Sequence, residues 1–123
     1  MLDHISFGVE DYGRSTSFYE RALAPLGIEL MFEREGALAA YGEGRLPFFL
    51  LHGDRPRPQA PLHVAFNASE RPAVDAFYAA AIEAGGADNG GPGLRDYHPG
   101  YYAAFVLDPD GNNVEAVCRL PED

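Results

Sequence analysis

The chain repeats itself. "LDHISFGVEDYGRSTSFYERALAPLG" and "LHVAFNASERPAVDAFYAAAIEAGG" can be laid over each other in a single register. His4 then falls on His63, Ile5 on Val64, Phe7 on Phe66, Phe18 on Phe77, Tyr19 on Tyr78, Ala22 on Ala81, Leu23 on Ile82 and Gly27 on Gly86, each pair 59 positions apart. A second block, "GALAAY" from Gly36 and "GYYAAF" from Gly100, matches at a shift of 64, so the second copy carries a few extra residues. Duplication on this scale means that both copies fold alike. With 123 residues in all, they share one ordinary domain.

Each copy opens on an alternating apolar stretch and continues at helical spacing. In the second copy Val74, Phe77, Tyr78, Ala81 and Ile82 form a one-sided apolar face, with Ser69 as the expected N-cap, Pro72 in the first turn, and Gly85 and Gly86 at the end. In the first copy Phe18, Tyr19, Ala22, Leu23 and Leu26 do the same, ended by Pro25 and Gly27. Extended stretches follow near 29–34, 37–41 and 47–52, and again near 87, at 101–107 and at 113–118. The unit reads β-α-β-β-β, twice. Module one covers about 1–53 and module two about 62–118, joined by the proline-rich "GDRPRPQAP" within a single domain, 1–123.

Strand alternation then says what faces what. Ile5, Phe7 and Val9, and in the matched strand Leu62, Val64 and Phe66, must pack on the helices, which turns His4, Ser6 and Gly8, and His63, Ala65 and Asn67, the other way. Alone, His63 in "LHVAF" would read as a packed core histidine. In "NNVEAVC" the same parity puts Val114, Ala116 and Cys118 on the helix side and Glu115 on the face of the two histidines. A carboxylate between valine and alanine is costly to bury unless something positive meets it. Two imidazoles and one carboxylate on a concave face are a donor set for a divalent metal, with Fe, Mn, Zn, Ni and Co not distinguishable.

With these residues in view the chain resembles the vicinal oxygen chelate superfamily, the glyoxalase, bleomycin-resistance and extradiol-dioxygenase group, over essentially its whole length. "DHISFGVEDYGRSTSFY", "HVAF" and "AAFVLDPDGNNVEAV" carry the resemblance, the last most specifically. It implies an α+β fold of paired βαβββ modules, a curved eight-stranded mixed sheet around a cavity. It also implies His4, His63 and Glu115 as metal ligands, a metal that holds two neighbouring oxygens of a small-molecule substrate, and a homodimer that closes the open sheet edges. Whether His4 and His63 of one site come from one chain or two stays open.

Glyoxalase I-like members draw a fourth ligand from the last strand of module one, which here is "PFFLLH". Superposing Gly44 on Gly111 sets Phe48 opposite Glu115, and one residue of slack sets Phe49 there; neither binds a metal. His52 lies beyond that place, as a strand-end or loop residue. A three-ligand site resembles the extradiol dioxygenases and the fosfomycin-modifying thiol transferases more than a lactoylglutathione lyase.

The extra segment of copy two, "GGPGLRDYHPGYYAAF", is a loop placed to fold over the cavity mouth. His98 there is a candidate general acid or base. Tyr101 and Tyr102 straddle the following strand, so one faces the cavity and one the core; parity does not say which, and Tyr101 is carried with His98 and Glu115 as a candidate catalytic residue. Arg95 is a weaker candidate for an anionic substrate group. "DPDG", Asp108 to Gly111, reads as a tight turn without chemistry.

Composition bounds the partners. A formal net charge of -10, with no basic cluster, argues against nucleic acid. No stretch is long and apolar enough to span a membrane, and the start is unlike a signal peptide, so a soluble, cytoplasmic protein is expected. Cys118, the only cysteine, forms no internal disulfide and is expected to be a buried apolar side chain. Two readings lead. One is a metal-dependent enzyme of lyase, transferase or dioxygenase type acting on a small oxygenated molecule. The other is a metal-free binding protein resembling the bleomycin-resistance proteins.

Overall fold

The computed structural model describes residues 1–119. Strand β1 (Ile5–Gly8) leads into helix α1 (Tyr12–Leu23), followed by β2 (Glu29–Arg34), β3 (Leu38–Glu43) and β4 (Leu46–His52). The second half runs β5 (His63–Asn67), α2 (Arg71–Glu83), the two-residue strands β6 (Ala87–Asp88) and β7 (Gly93–Leu94), then β8 (Tyr102–Leu107) and β9 (Asn113–Cys118).

The duplication is present in the strand order. One sheet runs β1-β4-β3-β2 and the other β5-β9-β8-β6, with β7 also paired to β8. In each, the first strand lies parallel to the last and the remaining pairs are antiparallel. The expected α+β pair of modules is there. Its strands, nine rather than eight among the described residues, form a sheet of four and a sheet of five, because the extra segment of copy two adds β7.

Local chemistry sets the helix limits. Asp11 caps α1 by accepting from the Arg14 amide at 3.1 Å. Pro25 falls in a single 3-10 turn, Ala24–Leu26, which ends on Gly27 at a φ of 80° that a side chain would strain. Helix α2 begins one residue later than Ser69 implies: Glu70 is the N-cap, in extended backbone with no side-chain bond, and Pro72 sits in the first turn where its missing N–H costs nothing. Just past α2, Gly86 leaves no room for a side chain, since a Cβ there would lie 2.4 Å from Val106 Cγ1 and 2.7 Å from Phe18 Cε1.

Both modules contribute to one core, in which Phe7, Val9, Phe66, Val114, Ala116 and Cys118 are buried as alternation requires. Phe49 stands at its centre, with ring centroids 5.5 Å from Phe7, 4.9 Å from Tyr19 and 5.2 Å from Phe66. A buried polar knot also ties the halves. Tyr19 of α1 donates its hydroxyl to Asp108 Oδ2, which also accepts from Asn112 Nδ2, while Asn112 Oδ1 accepts from the Leu62 amide at 2.8 Å. Asp108 Oδ1 accepts from the amides of Asp110 and Asn112, both at 2.9 Å. The "DPDG" turn is thus a structural lock. No helix among the described residues is long and apolar enough to cross a membrane.

Candidate functional site

Glu115 lies in the middle of β9, in register with Ala65 on β5 and Phe105 on β8. Its side chain faces away from the helices, yet the residue is only 1% exposed. Both carboxylate oxygens are engaged. Oε1 lies 2.8 Å from Nε2 of His63, and Oε2 accepts from the Tyr101 hydroxyl. An ionised carboxylate only accepts, so Nε2 is the protonated nitrogen of His63 in this contact. The His63 side chain is 55% exposed, so a buried anion is linked to the open face through a single imidazole.

The surroundings explain why the carboxylate stays in place. Tyr101, Ala103, Phe105 and Val117 form a small buried apolar cluster on the same face, which excludes water and strengthens the bonds inside it. The Tyr101 hydroxyl is pushed up to about 12, chiefly by burial and then by its bond to Glu115 and that group's charge, with Arg119 opposing. Tyr102 points to the helix side, where its hydroxyl donates to Asp75 Oδ1 at 2.6 Å, so Tyr101 is the tyrosine of the concave face.

His4 does not join this group. It precedes β1, its Nδ1 is 2.7 Å from Asp3 Oδ1, and its side chain is 55% exposed. It lines a cavity of about 330 Å³ with Ile5, Phe48, Val64, Ala65 and Phe66. Ala65 is the register partner of Glu115, so this cavity borders the His63 and Glu115 pair. Among the described residues no three His, Cys, Asp or Glu side chains are gathered closely enough to hold a metal. Two of the three donors expected from the sequence are together, and the third stands apart in the same chain.

Strand register also revises the place opposite Glu115. Val64, Ala65 and Phe66 pair with Val114, Glu115 and Ala116, as Ile5, Ser6 and Phe7 pair with Phe49, Leu50 and Leu51. The module-one equivalent of Glu115 is therefore Leu50, not Phe48 or Phe49. The shift comes from the β3–β4 hairpin, where the ladder is irregular between Tyr41 and Gly42. Leu50 carries no donor atom either. Phe49 is fully buried, whereas Phe48 lines the cavity beside His4.

The remaining candidates are peripheral. His98 is exposed on the loop before β8, its ring centroid 6.2 Å from that of Tyr101, and its carbonyl accepts from the Tyr101 amide at 3.2 Å. Arg95 braces the loop by donating to the Gly93 and Gly91 carbonyls at 2.9 and 2.8 Å. His52 ends β4, buried, and its imidazole is held below the usual histidine range first by burial and then by Arg55.

Residues 1–116 match the family model of the Glyoxalase/Bleomycin resistance protein/Dioxygenase superfamily. The chain belongs to that superfamily. A glyoxalase/bleomycin resistance protein from Albidiferax ferrireducens is 30% identical, covers 98% of this chain and 99% of its own, and superposes with a TM-score of 0.78. A putative glyoxalase from Bacillus halodurans is 27% identical over 96% of this chain and 95% of its own, with a TM-score of 0.69. A lactoylglutathione lyase from Agrobacterium tumefaciens shares the fold at 19% identity, over 96% of this chain and 92% of its own, with a TM-score of 0.70. Among curated proteins nothing matches. His63, Glu115 and Tyr101 lie together on one face; Arg119, which the sequence analysis did not single out, lies over the Tyr101 ring, and alternation past the end of β9 is the signal that places it on that face.

Proposed function

We propose that this chain is a metal-dependent enzyme of the glyoxalase superfamily that acts on a small oxygenated molecule, with His63 and Glu115 at the centre of its site. The observation that supports it is the buried carboxylate. Glu115 is 1% exposed, and among the described residues it pairs with His63 and not with an arginine. An apolar side chain would fill this strand position at lower cost, so the carboxylate is placed for something positive on the concave face. An imidazole nitrogen and a carboxylate oxygen side by side fit two positions of a divalent ion, and His4 would supply the third. A bound ion would act as a Lewis acid toward neighbouring substrate oxygens. The chain's own groups do the rest: Tyr101 fixes Oε2 of Glu115, and the apolar cluster keeps water from it.

His4 immediately precedes β1 and His63 opens β5, the outer strands of their sheets, and both side chains are half exposed. Within one chain His4 is outside the pair, so a homodimer that places His4 of the partner subunit beside His63 completes the donor set. Metal analysis of protein purified without chelator or nickel affinity resin tests the reading. About one divalent ion per chain is expected, lost in both His63→Ala and Glu115→Gln; full retention by either variant would overturn it.

One observation favours a second reading. Both Glu115 oxygens are satisfied by the protein, and the module-one equivalent is a leucine. A metal-free binding protein, like the bleomycin-resistance members, needs no more than that. Protein that carries no ion yet binds a small ligand at this face would decide for it.

A further inference from the structure

The concave face of module two carries a positive group that the metal reading does not use. Alternation beyond β9 sends Glu115, Val117 and Arg119 from one face, and the Arg119 guanidinium lies over the Tyr101 ring, 4.9 Å from its centroid. The hydroxyl of that same ring holds Glu115. Arg95 similarly covers Phe105 at 5.3 Å, and the Phe105 ring is 6.3 Å from that of His63. Two guanidiniums therefore rest on two aromatic rings of the small cluster surrounding the His63 and Glu115 pair.

The two are engaged differently. Arg95 already donates from Nη1 and Nη2 to loop carbonyls. Arg119 is exposed, and no carboxylate among the described residues pairs with it, so its guanidinium is open to a ligand on this face while it stays over the Tyr101 ring. A guanidinium held over a ring, with N–H donors that no carboxylate among the described residues takes up, can make the fork-like contact that an oxyanion offers. It also offsets the negative charge of Glu115, which would otherwise repel an anion from this face.

We propose that the ligand of this site is a small anion, its carboxylate or phosphate bonded by Arg119 at the Tyr101 end of the face and its neighbouring oxygens turned to the His63 end. The proposal rests on the reading that the His63 and Glu115 face is the ligand site.

The test is NMR titration of the intact protein as purified, following the Arg119 Nε–H and His63 ring signals. The probes are glycolate, inorganic phosphate and, as a neutral comparison, ethylene glycol. Glycolate or phosphate should shift both signals saturably, and ethylene glycol should bind at least about tenfold more weakly, the scale of one charge-assisted hydrogen bond. Whichever anion binds more tightly names the headgroup. Arg119→Gln should abolish the preference for the anion while keeping the fold and metal content, and Arg119→Lys should restore part of it. Glycolate and phosphate no tighter than ethylene glycol, unchanged anion binding by Arg119→Gln, or no binding of any probe would each overturn the proposal. His63→Ala separates the two ideas. If it binds the anion as before with Arg119 still required, the His63 reading fails and the anion site stands; if it loses all probes while Arg119→Gln loses none, the reverse holds.

Discussion

Nε2 of His63 lies 2.8 Å from Oε1 of Glu115, joining a side chain that is 55% exposed to one that is almost fully buried. This contact couples the protein's stability to its open face. His63→Ala would leave Oε1 unpaired, a loss of about 1–3 kcal/mol. Urea unfolding of the two single variants and of the double variant His63→Ala with Glu115→Gln should give a coupling of about 0.5–3 kcal/mol. Strict additivity would mean that the contact carries no energy.

Tyr101 holds the other oxygen. Tyr101→Phe removes the donor to Oε2 and should cost about 1–3 kcal/mol at neutral pH. The pH dependence has a definite sign. The folded-state hydroxyl is pushed up from the ordinary value of 10.0 to about 12, so its proton is bound more tightly in the folded chain. The resulting stability is fully present below pH about 10 and lost as pH rises through about 12. The wild type should lose stability over that window more steeply than Tyr101→Phe; parallel alkaline unfolding curves would show that the bond contributes nothing.

How much of this site can be read from the chain alone depends on the range of each relationship. Alternation is local, so the faces of His63, Glu115 and Phe66 follow from sequence, and the repeat at a spacing of 59 places the equivalent residues of module one. Cross-strand register is not local. The irregularity between Tyr41 and Gly42 and the different length of the β8–β9 turn moved the equivalent of Glu115 from the phenylalanines to Leu50. The position of His4 depends on how one sheet lies against the other, which no periodicity encodes, and the start of α2 at Arg71 rather than just after Ser69 is decided by backbone where no side chain caps it.

The turn at 108–112 should behave as an inter-module fastening. Tyr19→Phe removes one donor to buried Asp108 and should cost about 1–3 kcal/mol. Asn112→Ala should cost more, because its side chain both donates to Asp108 and accepts from the Leu62 amide where β5 begins. Chemical denaturation checks the order, and equal, negligible effects would remove the fastening.

His98 is exposed, so His98→Ala should keep its metal content and lie within about 0.5 kcal/mol of the wild type in stability. Its ring stands beside Tyr101, at the outer side of the group that holds Glu115. Turnover of a substrate should fall in this variant if the imidazole exchanges protons there, and undiminished turnover would confine His98 to the loop.

Leu50 offers the most direct test of how the duplicated halves relate. It pairs with Ser6 as Glu115 pairs with Ala65, and its strand neighbour carries His4 just upstream as β5 carries His63. Leu50→Glu therefore puts a carboxylate beside His4 in the register that Glu115 holds beside His63. Leu50 is only partly buried, so the substitution should be tolerated at a cost of about 1–3 kcal/mol. If His4 enters the metal site of the assembled protein, the added charge should tighten divalent-ion retention by about tenfold or more, the scale of one charge-assisted contact. Leu50→Gln, which adds the same bulk and polarity without charge, should not. Competition with a chelating dye measures both, and identical affinities for wild type and Leu50→Glu would place the His4 face outside the ligand sphere.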